Sequence, residues 1–236
     1  MLLNSRLAGT KNYGAILRHF ILNETPKMIA IIDYDAGNLT SVSRALSHIS
    51  VKNIITNEIK LIEDAERIIF PGVGAAGAAM KSLVRLGLDT AIRDAVKIGK
   101  PILGICLGTQ IILTASRENQ TECLGIIDGT VKAFSEVFQA KGYSGFKIPH
   151  MGWNQISLRI DHPVFAGLKK DDEFYFVHGY YPSPADLNQV IATTDYGFDF
   201  PSIIGMKNIV ATQFHPEKSG KPGLAILKNF STWKPC

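Results

Sequence analysis

Short apolar runs of strand length alternate with helical signals from residue 28 onward, and this alternation constrains the fold more than any other feature. Residues 28–33 form the first run, and after a turn at 35–37 Asn38 can cap a helix through about residue 49. Further strands are predicted at 53–57, 67–70 and 101–105, and helices at 75–98, with a break near Gly87, and from 107 to about 117. Strands separated by helix-sized connections predict a mainly parallel sheet with helices on both faces.

The second half of the chain is richer in strands and ends on a helix. Strands are predicted at 174–178, 190–194, 203–206 and 210–214, a turn at 218–220, and a closing helix at 223–230. No internal repeat, low-complexity tract or linker marks a second domain, and a chain of 236 residues can bury a sizeable core. We therefore expect one domain over residues 28–236.

Residues 1–27 differ from the rest of the chain in charge. They contain four basic residues against one acid, and so carry most of the net charge of +4. They lack a long apolar stretch before a small-residue cleavage site, so a secretory signal is not predicted. An upstream in-frame extension, a vector remnant and an organellar targeting peptide stay open as interpretations. We expect this segment to have no catalytic role.

The near-neutral remainder of the chain argues against binding to nucleic acid, which requires clustered Lys and Arg interleaved with aromatic residues. No apolar run approaches the ~18 residues of a membrane span. Cys106, Cys123 and Cys236 are an odd number and lie far from CxxC spacing, so neither a disulfide framework nor a zinc site is predicted. These features favour a protein of the reducing cytoplasm that uses no metal or cofactor.

Cys106 stands where a predicted strand runs directly into a predicted helix, in the run Gly-Ile-Cys-Leu-Gly at 104–108. A nucleophile at such a joint needs a sharp turn without bulky neighbours, which Gly104 and Gly108 supply. The helix N-terminus favours a thiolate, and the amide of Leu107 would point at a developing oxyanion. A buried structural cysteine is the alternative, but the flanking glycines favour a nucleophile.

A base and an orienting carboxylate for this thiol are predicted at His215 and Glu217. In an extended segment, residues two apart point to the same face, so Glu217 could hold the imidazole of His215 in one tautomer while it exchanges protons with Cys106. The other five histidines lie in the first 27 residues, on a polar helix face, or without a carboxylate at this spacing. The spacing therefore singles out His215.

The run Pro-Gly-Val-Gly-Ala at 71–75 follows a predicted strand and opens a predicted helix. Its glycines allow main-chain amides to turn toward an anion. The run matches neither the GxxxxGK[ST] phosphate loop nor the GxGxxG dinucleotide fingerprint. We therefore favour an oxyanion site, with Val73 and Gly74 as donors, over a phosphate cradle.

Together these motifs resemble those of the class I glutamine amidotransferases with a catalytic triad, over residues 28 to about 230. The cysteine run and the His-Pro-Glu run at 215–217 are shared across that family. The runs at 149–154, Pro-His-Met-Gly-Trp-Asn, and 213–219, Gln-Phe-His-Pro-Glu-Lys-Ser, are more specific and are similar to those of glutaminase subunits of imidazole glycerol phosphate synthases. The resemblance implies a three-layer α/β fold with a mainly parallel central sheet flanked by helices, and additional antiparallel strands.

The resemblance also implies roles for single residues and a partner. The implied triad is Cys106, His215 and Glu217. The implied glutamine-binding residues are Gln110 and the main chain of His178, Gly179 and Tyr180. The implied mobile oxyanion strand is Val73 and Gly74, and the implied docking face is Asn38, Met151, Trp153 and Tyr175. The implied substrate is L-glutamine. The implied partner is a separate (β/α)8 cyclase subunit that receives ammonia through an internal tunnel and makes imidazole glycerol phosphate and an aminoimidazole carboxamide ribotide in histidine biosynthesis.

Three positions depart from the pattern of these subunits. Thr109 stands in place of methionine, Gly179 in place of serine, and Ala76 where phenylalanine is common. They lie outside the triad but bear on the identity of the partner. A paralogous glutaminase that supplies ammonia for amidination of a surface sugar is therefore the main alternative. Two others are a cysteine hydrolase of small amides and a non-catalytic interaction subunit.

Overall fold

The computed structural model describes residues 28–35 and 37–235, so the predictions for residues 1–27 and for Cys236 lie outside the described residues. The described strands are β1 (Ile29–Ile32), β2 (Asn53–Thr56), β3 (Arg67–Gly72), β4 (Ile102–Cys106), β5 (Ala115–Ser116), β6 (Thr121–Glu122), β7 (Gly129–Ala133), β8 (His150–Gln155), β9 (Ser157–Leu158), β10 (Glu173–His178), β11 (Tyr180–Pro184), β12 (Val190–Asp195), β13 (Asp199–Met206) and β14 (Ile209–Thr212).

The described helices are α1 (Leu39–His48), α2 (Ile59–Asp64), α3 (Ala76–Leu86), α4 (Leu88–Lys97), α5 (Leu107–Ile111), α6 (Phe134–Lys141) and α7 (Gly220–Thr232). Short 3-10 turns lie at Glu118–Gln120, Pro163–Phe165, Leu187–Gln189 and Pro216–Lys218. Within residues 28–35 and 37–235, none of the helices is both long and apolar enough to cross a membrane.

Eight strands form the central sheet, in the order β2-β1-β3-β4-β14-β13-β12-β9. The first five are parallel to one another, whereas β13, β12 and β9 continue the sheet in antiparallel pairing. Two smaller sheets lie beside it, one of β10 and β8, the other in the order β11-β7-β5-β6. The predicted mainly parallel sheet with additional antiparallel strands is confirmed.

Helices cover both faces of the central sheet, as a three-layer fold requires. Along β1, Ile29 and Ile31 pack into one core with residues of α1, α6 and α7, while Ala30 and Ile32 pack into a second core with residues of α2, α3 and α4. Since strand side chains alternate between faces, a strand buried on both sides reads as a continuous apolar run. This is why the apolar runs of the first half predicted their strands well.

The helix predicted from residue 107 to about 117 is wrong in its length. It ends at Ile111, and Ala115 already pairs with Thr130 in the sheet of β5 and β7. The amide of Leu113 donates to the carbonyl of Gln110, which tightens the last turn. The predicted break at Gly87 is confirmed, since this residue lies at φ 70° between α3 and α4.

The carboxyl ends of β3, β4 and β14 lie side by side, and this arrangement positions the candidate site. Gly72 is in register with Cys106 across β3 and β4, and Thr212 at the end of β14 is in register with Ile105. Segments that follow these three strands are therefore neighbours, although β14 is more than 100 residues from β4 in the chain. Loops at the carboxyl edge of parallel strands are the usual place for ligands in such sheets.

Gly108 allows β3 and α5 to approach each other closely at this edge. A Cβ atom at this position would lie 1.8 Å from the carbonyl oxygen of Phe70. We expect Gly108→Ala to lower the free energy of unfolding by about 2 kcal/mol or more, because main-chain atoms of β3 or α5 would have to move. Urea unfolding measures this change.

Gly77→Ala in α3 is the matched control, since its added Cβ would meet only the Thr121 hydroxyl, at 3.3 Å. It should change the free energy of unfolding by less than about 1 kcal/mol, because alanine is favoured over glycine within a helix. Equal losses in the two variants would contradict the role assigned to Gly108.

Candidate active site

A cavity of about 350 Å³ lies at the carboxyl ends of β3 and β4, and its size is that of a small-molecule site. Its walls are formed by Val73, Gly74, Cys106, Leu107, Gln110, Glu118, Pro149, Val177, His178, Gly179 and Tyr180. The structure thus brings the predicted nucleophile together with all the predicted oxyanion residues and all the predicted glutamine-binding residues. Glu118 joins them without having been predicted.

Cys106 occupies a strained position between β4 and α5. Its φ and ψ of 53° and −105° lie outside the regions that residues with a Cβ prefer. Such strain persists only where the surrounding structure enforces it, and it is concentrated at functional sites. The sequence predicted a need for glycine at 108 from the turn itself, but the structure gives a different reason: α5 packs directly on the Phe70 carbonyl of β3.

His215 and Glu217 form a fully buried pair beside the thiol. The Nδ1 atom of His215 lies 2.8 Å from Oε1 of Glu217, and neither side chain has exposed surface. The extended segment from which this pairing was predicted is wrong, because β14 ends at Thr212 and Pro216 begins a 3-10 turn. The turn, rather than the two-residue repeat of a strand, carries the carboxylate back to the imidazole.

The environment of His215 raises its pKa well above the ordinary value. Burial by itself disfavours the imidazolium, but the Cys106 sulfur and the Glu217 carboxylate together outweigh burial. The Nε2 atom of His215 is buried and makes no hydrogen bond of good geometry with the described residues. Contacts of this kind are often loose before substrate binds, so the missing hydrogen bond does not argue against the predicted role of His215 as a proton carrier.

Asn38 belongs to this buried cluster. Its Nδ2 atom donates to Oε1 of Glu217 at 2.5 Å and lies 3.4 Å from Nδ1 of His215. The predicted helix cap is wrong, because Asn38 lies at φ 77° and its side chain makes no capping hydrogen bond to α1. Its side chain instead orients the carboxylate that orients His215. A part in the docking face stays a prediction.

The segment after β3 carries Val73 and Gly74, the predicted oxyanion residues, and both line the cavity. The Tyr34 hydroxyl donates to the carbonyl of Pro71 at 2.7 Å and fixes the start of the segment. Gly74 lies at φ 109°, a conformation open to glycine, and Val73 is partly exposed. Tyr34 was not predicted, because a tyrosine after a buried strand carries no signal for a contact 37 residues away.

Glu118 is the acidic group in the cavity wall. Its Oε2 atom accepts a hydrogen bond from the amide of Ala76 at 2.6 Å, which joins the 3-10 turn at Glu118–Gln120 to the start of α3. One carboxylate oxygen is thereby anchored while the residue lines the cavity. No spacing in the sequence distinguishes this glutamate from the other acidic residues.

Two glutamine side chains connect the cavity wall to the nucleophile. The Nε2 atom of Gln110 donates to the carbonyl of Tyr180 and to Oε1 of Gln213, both at 3.1 Å. The Nε2 atom of Gln213, which is fully buried, lies 3.7 Å from the sulfur of Cys106. Gln110 was predicted to contact substrate, whereas Gln213 was not predicted to have a role of its own.

The predicted docking residues of β8 and β10 lie on one face of their two-stranded sheet. Met151 and Trp153 are 62% and 54% exposed, and Trp153 is in register with the partly exposed Tyr175. The rings of Trp153 and Tyr175 lie 6.0 Å apart, edge to face. The carbonyl of Tyr175 also accepts the amide of His215 at 3.0 Å, so this surface lies directly behind the imidazole. That it binds a partner stays a prediction.

Within residues 28–35 and 37–235, no group of three or more His, Cys, Asp or Glu side chains is arranged to hold a metal ion. The cavity lining offers one carboxylate, that of Glu118, and one thiol, that of Cys106.

His150, the first residue of β8, and His178, the last residue of β10, lie opposite each other and form a second buried pair. Burial lowers the pKa of His150 to about 4 and that of His178 to about 3, from an ordinary value of 6.5. Both imidazoles are therefore neutral in the folded chain near neutral pH. The unfolded chain binds protons at these positions once the pH falls below 6.5, whereas the folded chain does not.

We therefore expect the free energy of unfolding to fall as the pH decreases from 6.5 toward 4, because protons then favour the unfolded state. Urea unfolding across this range measures the slope. His150→Phe should make the slope shallower, while His48→Gln, at an exposed position, should leave it unchanged. An identical slope in the wild type and His150→Phe would contradict the assignment.

Comparison with known proteins places the chain among glutamine amidotransferases. The family model for glutamine amidotransferase class-I matches residues 30–232. The imidazole glycerol phosphate synthase subunit HisH of Nitratidesulfovibrio vulgaris (strain DSM 19637 / Miyazaki F) is 49% identical over 86% of this chain and 95% of its own length. The protein of the same name from Dehalococcoides mccartyi (strain CBDB1) is 47% identical, over 86% and 96%.

Solved structures support the fold at lower sequence identity. A crystal structure of a glutamine amidotransferase superposes with a TM-score of 0.63 at 18% identity, covering 86% of this chain and 98% of that chain. PurLQS from Thermotoga maritima superposes with a TM-score of 0.64 at 18% identity, covering 86% and 96%. Because the family model and the HisH relatives span most of the chain, the family is established. The chain belongs to the class-I glutamine amidotransferase family, in the group formed by the HisH components of imidazole glycerol phosphate synthases.

Proposed function

We propose that this chain is the glutaminase subunit of an imidazole glycerol phosphate synthase, with Cys106 as nucleophile, His215 as proton carrier and Glu217 as the orienting carboxylate. The observation that carries the proposal is a strained cysteine in the cavity wall with a fully buried His–Glu pair beside its thiol. A purely interacting role would not require a desolvated carboxylate on an imidazole, because burying charge is costly.

In the proposed reaction, the thiolate of Cys106 attacks the carboxamide carbon of glutamine. The carbonyl oxygen becomes an oxyanion, which main-chain amides of Gly74 and Leu107 stabilise. The raised pKa of His215 keeps the imidazolium available to protonate the departing nitrogen, so the C–N bond breaks and ammonia leaves. Water then attacks the remaining thioester while His215 accepts one of its protons, the C–S bond breaks, and glutamate leaves with the thiolate and the imidazolium restored.

The cavity supports recognition of glutamine by charge and by main-chain contacts. Glu118 places a carboxylate in a wall of the cavity and is suited to the α-ammonium group of the substrate. Gln110 and the main chain of Gly179 and Tyr180 line the remaining polar part. The departure at Thr109 is accommodated, since this buried hydroxyl donates to the carbonyl of Thr212 at 2.6 Å and ties α5 to β14.

The proposed acceptor of the ammonia is a (β/α)8 cyclase subunit, bound at the face formed by Met151, Trp153 and Tyr175. Methionine and aromatic side chains that lie exposed together on one face are typical of the cores of protein interfaces. The names of relatives at 42–49% identity support a synthase of histidine biosynthesis over the amidination of a surface sugar. The proposed location is the cytoplasm, whose reducing conditions preserve a catalytic thiol.

Cys106→Ser should reduce glutamine hydrolysis in the presence of the cyclase subunit by at least about 10³-fold, because members of a triad act as a unit. Glutamate release measures the rate, and labelling by the glutamine analogue 6-diazo-5-oxo-L-norleucine, read by intact mass, identifies the nucleophile. Cys123→Ser is the matched control, since Cys123 lies outside the cavity and should not alter turnover. Native turnover by Cys106→Ser would disprove the mechanism.

Glu118→Gln should raise the KM for glutamine roughly tenfold or more with a smaller effect on kcat, because a charge-assisted hydrogen bond to the α-ammonium group is lost. The new carboxamide can still accept from the Ala76 amide, which preserves the turn. Glutaramate, which lacks the α-amino group, should be hydrolysed equally by the variant and the wild type. If Glu118→Gln hydrolysed glutaramate more slowly than the wild type, Glu118 would not act through the α-ammonium group. Exposed Glu122→Gln serves as the control.

A further inference from the structure

We propose that His150 and His178 are positioning residues for glutamine hydrolysis: through hydrogen bonds they fix the main-chain carbonyl of Tyr180, on which Gln110 of the substrate cavity is also anchored. The proposal rests on the proposed function, because it assigns this pair a part in organising the same site. Neither imidazole is required to touch the reacting atoms or to change its charge.

The geometry determines which nitrogen of each ring carries the proton. The Nδ1 atom of His178 lies 2.7 Å from the carbonyl of Tyr180, which can only accept, so Nδ1 is the donor. In a neutral imidazole the other nitrogen is then an acceptor, and Nε2 of His178 lies 3.1 Å from Nδ1 of His150. His150 therefore donates through Nδ1, and its Nε2 atom accepts from the side-chain Nδ2 of Asn154 at 3.3 Å. Each donor in this series therefore points toward Tyr180: Asn154 donates to His150, His150 donates to His178, and His178 donates to the carbonyl.

The carbonyl of Tyr180 is the point where this chain of hydrogen bonds meets the cavity. It accepts from His178 at 2.7 Å and from Nε2 of Gln110 at 3.1 Å, so both of its lone pairs have partners. The Nε2 atom of Gln110 also donates to Oε1 of Gln213 at 3.1 Å, and Nε2 of Gln213 lies 3.7 Å from the sulfur of Cys106. A series of hydrogen bonds therefore joins β8, which carries the exposed Trp153, to the nucleophile.

The surroundings of His150 indicate that its hydrogen bonds, rather than its ring, explain an imidazole at this position. The ring stacks on Tyr196 at 4.0 Å and on Phe176 at 4.8 Å, both with an interplanar angle of 25°. An aromatic hydrocarbon would fill this space without the cost of burying polar nitrogens. His178 is likewise buried, and Phe134 packs against its ring. Packing alone therefore does not require two imidazoles here.

Two substitutions at His150 separate the hydrogen bond from the stacking. His150→Phe keeps an aromatic ring between Tyr196 and Phe176 but leaves Nε2 of His178 without its donor. His150→Asn loses the ring but places an amide near the former Nδ1 atom. With the cyclase subunit present, we expect His150→Phe to lower kcat/KM for glutamine about tenfold, mainly through KM, and His150→Asn to remain within about threefold of the wild type.

His162→Phe is the matched control, since this histidine precedes the 3-10 turn at Pro163–Phe165, beside Trp233 and away from the cavity. It should leave both kinetic constants unchanged. The reverse order, with His150→Phe active and His150→Asn impaired, would overturn the proposal in favour of stacking. Equal losses in both variants would also overturn it, because they would indicate a structural role.

A measurement on the unsubstituted chain keeps the proposal testable if His150→Phe does not fold. Imidazole ¹⁵N shifts should report neutral rings with the proton on Nδ1 in both His150 and His178, and a proton on Nε2 of His178 would overturn the proposal. Failure of the proposed function is distinguishable, since the wild type would then release no glutamate with the cyclase subunit. An active wild type with an equally active His150→Phe refutes the positioning role alone.

Discussion

The close approach of β3 to the turn at Cys106 is the constraint on which the remainder of the site depends. The Cα atom of Gly108 packs on the carbonyl of Phe70, and that of Gly72 packs on the hydroxyl of Tyr34. These contacts hold the end of β3 against the start of α5, so Val73, Gly74 and Cys106 line the same cavity. The strain at Cys106 is maintained because the parallel pairing on both sides of β4 leaves this strand no room to relax.

Buried polar groups give the site its chemistry, and each is held by a specific partner. Glu217 is withdrawn from water but accepts from both Asn38 and His215, which offsets part of the cost of burying a carboxylate. Two of the five buried side-chain atoms without a partner among the described residues, Nε2 of His215 and Oε2 of Glu217, lie in this cluster. Native proteins leave few such atoms, and a catalytic role is one reason for keeping them.

The candidate active site and the predicted docking face share their supporting strands. β10 carries Tyr175 on the exposed side, accepts the amide of His215 through its main chain, and ends in His178 beside the cavity. β8 pairs with it and presents Trp153 outward and His150 inward. Since strand side chains alternate, one short two-stranded sheet can contact a partner on one face and the substrate site on the other.

The sequence by itself determined the parallel half of the sheet, the break at Gly87 and the main chemical groups, because these depend on local signals: continuous apolar runs, glycines at a strand–helix joint, and a histidine two residues before a carboxylate. Only the tertiary structure decided the end of α5, the 3-10 turn that joins His215 to Glu217, and the parts taken by Tyr34, Asn38, Glu118 and Gln213. These four residues meet their partners across 37 to 179 positions of the chain. Contacts at that separation follow from strand order and register, which local sequence patterns do not encode.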